Sequence, residues 1–395
     1  MTGSPSNPIE FLLPSAADGM DLNSLGGEIV LLSHYAAVDG RMRTTAERMA
    51  SLGILRAVLG PQHGFWGETQ DNMIEWEGYR DPVLGVPVHS LYGSTRRPTA
   101  DMLRGAGRLV VDLQDVGSRY YTYIYTMALA MREAAEQGLP VTVLDRANPL
   151  GTRTVEGQML DTEYASFVGM YSIPVRHGLT TGELARHFAD LEGLPQPEVV
   201  PCRRQPPQEP LEGSLSWVLP SPNMPTLRTA LVYPGMCLLE GTNLSEGRGT
   251  TRPFEVFGAP WLDDVRLCEE LNESDALNGA VIRRHRYIPT FGKHSGSLCR
   301  GGQIHVLDRR AFRPLRAALA ILAFCFRDSR TAWKQPPYEY EYKRMPIDIL
   351  AGGPQVRQAI ERDDREELDS LATAPLTLWR QSSAQSLIYE RELRG

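Results

Sequence analysis

Short apolar runs alternate with helically spaced apolar positions along the first half of the chain. The runs at 28–33, 55–59, 86–91, 108–113 and 140–144 have strand length, and most are apolar on both faces, as strands covered by helices require. The stretch 44–52 reads as a helix. So does 120–137, where Tyr121, Ile124, Tyr125, Ala128, Met131 and Ala135 share a face and Gly138 ends the pattern. A short helix opened by proline is predicted at 98–104. Another is predicted at 180–191, with Thr180 or Thr181 as cap and Glu183 in its first turn. Strand and helix in alternation predict βαβ units, hence an α/β fold with a Rossmann-like, mainly parallel sheet.

The second half is less regular. Apolar runs lie at 231–237 and 279–287, a helix is expected at 312–326, and a charged helix near 356–372. These predict a smaller α+β domain. The stretch 201–210 carries four prolines and marks the expected surface connection, dividing the chain into domains at 1–205 and 206–395.

Composition narrows the class. With 42 % hydrophobic and 23 % charged residues among 395, the chain can bury a sizeable core. A net charge of −7 without a basic patch argues against nucleic acid as partner. The start of the chain, Met1 to Asp21, lacks the pattern of a secretory signal and reads as a mobile tail, and no apolar stretch is long enough to span a membrane. Five scattered cysteines without a Cys-x-x-Cys pair favour a reducing, cytoplasmic setting over a disulfide framework or a zinc site.

Polar chemistry gathers where strands end. The second strand runs into Gly60-Pro61-Gln62-His63-Gly64-Phe65-Trp66-Gly67-Glu68, the strand at 108–113 into Gln114-Asp115-Val116-Gly117-Ser118-Arg119-Tyr120-Tyr121, and the strand at 140–144 into Asp145-Arg146-Ala147-Asn148-Pro149. In an open parallel sheet, ligands bind at that edge. The glycine-rich cradles for dinucleotides and nucleoside triphosphates are missing, as is Gly-x-Ser-x-Gly. A hydrolase without cofactor is the class these residues favour.

These loops resemble the NamZ-type exo-β-N-acetylmuramidases. The resemblance is carried by Gly60-Pro61-Gln62-His63-Gly64, Ser90-Leu91-Tyr92-Gly93, the strand end Asp112-Leu113 with Gln114 to Arg119, Leu144-Asp145-Arg146-Ala147-Asn148-Pro149, Arg176-His177-Gly178-Leu179-Thr180-Thr181-Gly182-Glu183-Leu184, Pro220-Ser221-Pro222-Asn223-Met224-Pro225 and Gly247-Arg248-Gly249-Thr250-Thr251-Arg252-Pro253-Phe254. It implies a cleft between two domains and release of terminal N-acetylmuramic acid from the non-reducing end of peptidoglycan fragments, with no cofactor and a wall-derived sugar as partner. The family pattern reads Pro-Glu-His-Gly with the glutamate as its proposed catalyst. Here that position is Gln62, and an amide does not exchange a proton as a carboxyl does.

Glycosidases typically set two carboxyl groups around the scissile bond. Glu68, six residues on in the same loop, is the expected acid, with a solvated loop glutamate as the alternative; Asp71 follows it toward the cleft. Asp115 is expected as nucleophile or polariser, or else as an Asx turn. His63 binds a hydroxyl or moves a proton, or bonds a neighbouring carbonyl. Of Arg119, Arg176 and Arg248, one is expected to clamp the lactyl carboxylate and two to form internal pairs with Asp112, Asp145 or Glu183. Tyr120, Tyr121 and Trp66 are candidates for stacking on sugar, though a tyrosine at the core spacing of Tyr121 is more often interior. Asp145, Asn148 and His177 line the cleft, and Glu240 and Glu246 complete it on closure. Two other readings stay open. One is a metal-dependent hydrolase or phosphoesterase using His63, Asp112, Asp115 and His177; the other is a sugar-binding protein without turnover.

Overall fold

The computed structural model describes residues 13–71, 73–210, 217–373, 375–391 and 394. The first half is built on seven strands: β1 (Ile29–Ser33), β2 (Leu55–Gly60), β3 (Tyr79–Arg80), β4 (Pro87–Ser90), β5 (Arg108–Asp112), β6 (Val141–Leu144) and β7 (Glu198–Val200). Their order is β3-β4-β2-β1-β5-β6-β7. Every neighbouring pair is parallel except β3 with β4 at the edge. Setting β3 aside, the chain winds outward from β1 through β2 to β4, then returns to β5 and winds the other way through β6 to β7. This is the doubly wound order, with its switch point between β1 and β5. All five residues of β1 are buried, which is why the strand reads as an unbroken apolar run.

The connecting helices are α1 (Thr45–Ser51), α2 (Ala100–Leu103), α3 (Tyr123–Glu136) and α4 (Thr181–Glu192). Reciprocal capping boxes, Thr44 with Glu47 and Thr180 with Glu183, start α1 and α4. Helix α3 begins three residues later than its spacing implies. Ser118 to Tyr121 form a turn instead, closed by Tyr121 N–H donating to the Ser118 carbonyl at 3.0 Å.

In the second half, β8 (Val256–Ala259), β9 (Ala280–Tyr287) and β10 (Cys299–Val306) form an antiparallel sheet in the order β8-β10-β9. Around it lie α5 (Leu227–Met236), α6 (Asp264–Asn272), α7 (Pro314–Cys325), α8 (Pro346–Ala351), α9 (Gln355–Glu361), α10 (Arg365–Ala372) and α11 (Leu376–Ser383). The apolar run at 231–237 falls in α5 and the turn after it, and α5 is buried from Thr229 onward. A Cβ on its Gly235 would sit 1.9 Å from the Pro314 carbonyl oxygen, so glycine lets α5 and α7 touch by backbone. The charged stretch at 356–372 is two helices, because the chain turns through a left-handed Asp363 (φ 53°) between them.

Both ends return to the first half. The expected mobile tail lies outside the described residues as far as residue 12, but from Leu13 onward the chain is packed. Ala16 N–H donates to the Asp145 carbonyl at 2.8 Å, and the Arg48 guanidinium holds the carbonyls of Ala17 and Met20. At the other end, Arg391 makes a two-pronged pair with Glu183 (2.7 Å on each oxygen) in a fully buried setting, and Tyr389 donates to Asp145 at 2.7 Å. Trp379 is wholly buried and donates from Nε1 to the His177 carbonyl at 3.0 Å. Trp379→Ala is expected to lower stability by about 3–5 kcal/mol, through lost burial and the cavity left behind. Urea unfolding followed by circular dichroism measures it, and a loss below about 1 kcal/mol would contradict this packing.

Candidate active site

Beyond β2 the loop turns sharply. Gly60 is required because a Cβ would fall 2.7 Å from the Trp76 ring, and the left-handed pair His63 (φ 73°) and Gly64 (φ 88°) reverses the chain. His63 Nδ1 lies 2.7 Å from the Thr69 carbonyl. A carbonyl only accepts, so Nδ1 carries the hydrogen and Nε2 is left as an acceptor. Burial pushes this imidazole down to about 4, so at neutral pH it is uncharged. Gln62 is buried beside it. Its Oε1 accepts from Thr122 Oγ1 at 2.8 Å, and its backbone carbonyl accepts from the Tyr123 hydroxyl at 3.2 Å.

The facing wall comes from the second half. Glu240 follows α5; Arg248 donates to its Oε1 at 2.7 Å and the Tyr338 hydroxyl to its Oε2, also at 2.7 Å. Arg248 Nε lies 3.5 Å from Glu246, whose other oxygen meets Lys293 at 2.9 Å. Arg248 Nη1 is buried and makes no hydrogen bond among the described residues. Glu339 completes the wall, accepting from the Tyr92 hydroxyl at 2.9 Å. The two walls enclose a small polar cavity of about 40 Å³, room for a few waters, that opens to solvent. Tyr120, Tyr233 and Phe254 supply its aromatic lining, and Ser221 and Asn223 further polar groups.

The two carboxyl groups in this lining are driven apart. Glu240, although buried, is held below its ordinary value by Arg248 and by the Tyr338 hydrogen bond. Glu339 is pushed up to about 7 by burial, with the Glu240 charge adding to the rise. One carboxylate and one carboxylic acid in a single cleft is the arrangement that acid–base chemistry uses.

Of the residues expected from the sequence, Gln62, His63, Tyr120 and Arg248 meet at this cavity, joined by Glu240 and Tyr121. Glu68 does not line it. The side chain is exposed, folds back over Gly64, and accepts from Trp66 N–H at 3.0 Å. Asp71 and Trp66 also lie outside, on the exposed part of that loop. Asp115 is buried away from the cavity. Its Oδ2 accepts from Gly117 N–H, as in an Asx turn, and lies 3.2 Å from His177 Nε2. Arg119 spends both terminal nitrogens on four backbone carbonyls, those of Gln158, Ile173, Leu350 and Ala351. Arg176 pairs with Glu156 and the Leu150 carbonyl. Asp145 accepts four hydrogen bonds, from Arg146, Gly182, Thr180 and Tyr389, and Asn148 braces Leu179 and Leu150. The structure therefore makes Arg119, Arg176, Asp145, Asn148 and the Asp115–His177 pair a buried frame behind the cleft. Short polar motifs after strands advertise this frame as readily as a site.

The ligands expected for a metal do not converge either. Asp112 is gripped by Arg146 and Thr45, the Asp115–His177 pair lies within the frame, and His63 is tied to the Thr69 carbonyl. Among the described residues, no three His, Cys, Asp or Glu side chains cluster as a metal site would. Tyr338 and Glu339 had no signal of their own, and Tyr92 only its place in the Ser90–Gly93 motif.

Comparison with known proteins agrees with this architecture. Residues 29–228 match the family model described as exo-β-N-acetylmuramidase NamZ, N-terminal, and residues 231–389 its C-terminal counterpart. The peptidoglycan β-N-acetylmuramidase NamZ of Bacillus subtilis (strain 168) is 42 % identical over 347 residues, covering 85 % of this chain and 80 % of the relative. Two crystal structures of DUF1343 family proteins from Bacteroides fragilis NCTC 9343 share the fold. One has a TM-score of 0.82 and 27 % identity over 96 % of this chain and 100 % of the other; the second has 0.71 and 25 % over 96 % and 99 %. With both halves matched and the α/β fold shared along its length, the chain belongs to the NamZ family of exo-β-N-acetylmuramidases.

Proposed function

We propose that the protein is a glycoside hydrolase that releases terminal N-acetylmuramic acid from the non-reducing end of peptidoglycan fragments, in wall turnover or recycling. The observation that carries this reading is the 42 % identity, over most of both chains, to a peptidoglycan β-N-acetylmuramidase. The cleft is consistent with it in its chemistry: two carboxyl groups of opposed protonation, aromatic walls and several hydrogen-bonding side chains. Arg248 is the arginine of this cleft, but Glu240 and Glu246 already offset its charge. Its spare Nη1–H suits a neutral acceptor, such as the acetamido carbonyl, better than the lactyl carboxylate.

The five cysteines are all buried free thiols, which suits a reducing compartment. Among the described residues, no helix is long and apolar enough to cross a membrane. We place the activity in the cytoplasm, on imported wall fragments; activity confined to a periplasmic fraction would contradict that placement. The enzyme is expected to release the aglycone from a chromogenic β-glycoside of N-acetylmuramic acid and to leave the N-acetylglucosamine analogue largely intact. Absence of release by folded protein would refute the function, and binding of the sugar without release would favour a sugar-binding protein.

A further inference from the structure

Glu339 lies in a segment remote from every motif that follows a strand, yet it lines the cleft. The segment is held in an unusual shape. Glu339 (φ 46°) and Tyr340 (φ 65°) are consecutive left-handed residues, and neither is glycine. Such backbone persists only where the surroundings impose it, and it collects at functional sites. Here the imposing contacts are visible. Tyr338 and Glu341 exchange two backbone hydrogen bonds of 2.9 Å, and Glu339 N–H donates to Met73 Sδ at 3.4 Å. The Tyr340 hydroxyl donates to Glu75 at 2.8 Å, while the Arg96 guanidinium lies between the rings of Tyr92 and Tyr340, 4.1 and 4.3 Å from their centres. These contacts hold Glu339 in the lining of the same cavity as Gln62 and His63.

Among the described residues that line the cavity, Glu240 and Glu339 are the carboxyl groups. Glu240 is bound to Arg248 and Tyr338, an arrangement that keeps it ionised. Gln62 is an amide and His63 a neutral imidazole whose Nδ1–H is occupied. Burial raises the tyrosine hydroxyls and the Cys237 thiol of the lining above their ordinary values, so they give up a proton reluctantly, and Glu339 is the lining group able to hold a proton and release it.

We propose that Glu339 is the general acid of this enzyme, an assignment that rests on the glycosidase reading above. As the bond from C1 to the glycosidic oxygen breaks, the Glu339 carboxyl gives its proton to that oxygen, and the aglycone sugar leaves as an alcohol. Water supplies the hydroxyl that bonds to C1, and the proton it sheds returns Glu339 to the acid. Several groups face this carboxyl: the Tyr92 phenol and Arg96 from the loop after β4, Tyr338 beside it, and Glu240 and Arg248 from the facing turns. The two arginines and the Tyr92 hydrogen bond favour the carboxylate, Glu240 and burial favour the acid, and the balance falls at about 7.

The test compares two substrates that differ in their need for a proton: N-acetylmuramyl-N-acetylglucosamine, with a poor leaving group, and the 2,4-dinitrophenyl β-glycoside of N-acetylmuramic acid, whose phenol leaves unaided. Glu339→Gln is expected to lower kcat on the disaccharide by about 100-fold or more and to leave the aryl glycoside within a few-fold of wild type. Glu68→Gln, made in parallel, is expected to retain the disaccharide rate. A second readout needs no variant: wild-type kcat on the disaccharide should fall above about pH 7 while that on the aryl glycoside stays level. Equal loss on both substrates, a Glu339→Gln enzyme with full disaccharide rate, or identical pH profiles would overturn the assignment while leaving the glycosidase reading intact. A wild type that cleaves neither substrate would remove the glycosidase reading itself, and this assignment with it.

Discussion

Glu339→Gln should make the folded protein more stable above pH 7, whatever it does to activity. The carboxyl moves from its ordinary 4.5 to about 7 on folding, because burial beside the Glu240 charge disfavours its ionised form. The folded state therefore holds this proton more tightly than the unfolded chain does. The contribution to stability is fully present below about pH 4.5, declines as pH rises, and is gone once pH has passed 7. A shift of this size corresponds to about 3 kcal/mol. Glutamine has nearly the same shape, still accepts from Tyr92, and stays neutral throughout. Urea midpoints for wild type and variant, taken in steps from pH 5 to pH 9, should diverge in favour of the variant as pH rises. A difference that does not change with pH would show that Glu339 is solvated when folded. A gain in stability at the expense of turnover is what a strained functional residue implies.

Arg248→Met should be the most damaging single change in the cleft. Arg248 is buried between Glu240 and Glu246, and their charge raises the affinity of its guanidinium for its proton. Removing it takes the guanidinium from Glu240, which sits beside Glu339 and keeps the Tyr338 hydrogen bond, while Glu246 still has Lys293. Breaking one partner out of a buried pair typically costs about 3–5 kcal/mol, because the remaining charge is stranded. Glu240 is then expected to take up a proton, which erases the division between acid and carboxylate. The fall in kcat/KM should accordingly exceed that of Arg248→Lys, which keeps the charge and loses only the fork. Chemical unfolding and kinetics with the disaccharide measure both effects. A loss of less than about 1 kcal/mol would mean that Glu240 is hydrated and the pair behaves as a surface bridge.

The sheet was legible because its strands are buried on both faces, and a covered parallel sheet is what continuous apolar runs between helical patterns build. The loop after β2 was legible for the same reason, since a polar turn following such a run points to the ligand edge. Burial of a loop residue by a distant segment leaves no comparable trace. Arg119 in sequence looks like a substrate clamp; that it holds carbonyls from Leu350 and Ala351 depends on contacts more than 200 residues away. Glu68 has the right spacing from Gln62 but the wrong direction, because Gly64 lets the loop fold back on itself. Glu339, between prolines and alternating charged and aromatic residues, reads as surface. It enters the cleft because Tyr92, Met73 and Arg96 hold the strap that carries it.

The buried Arg391–Glu183 pair also orders events in time. The partners are 208 residues apart in the chain. A ribosome adding about 5–20 residues per second would complete Glu183 roughly 10–40 s before Arg391. During that interval the capping box of α4 holds a carboxylate whose counter-charge has not been made, and Asp145 awaits Tyr389. The doubly wound sheet can collapse early, but its frame is sealed only once Tyr389 and Arg391 have been made. Tyr389 and Arg391 thus act as the latch on a sheet whose strands are all made long before them.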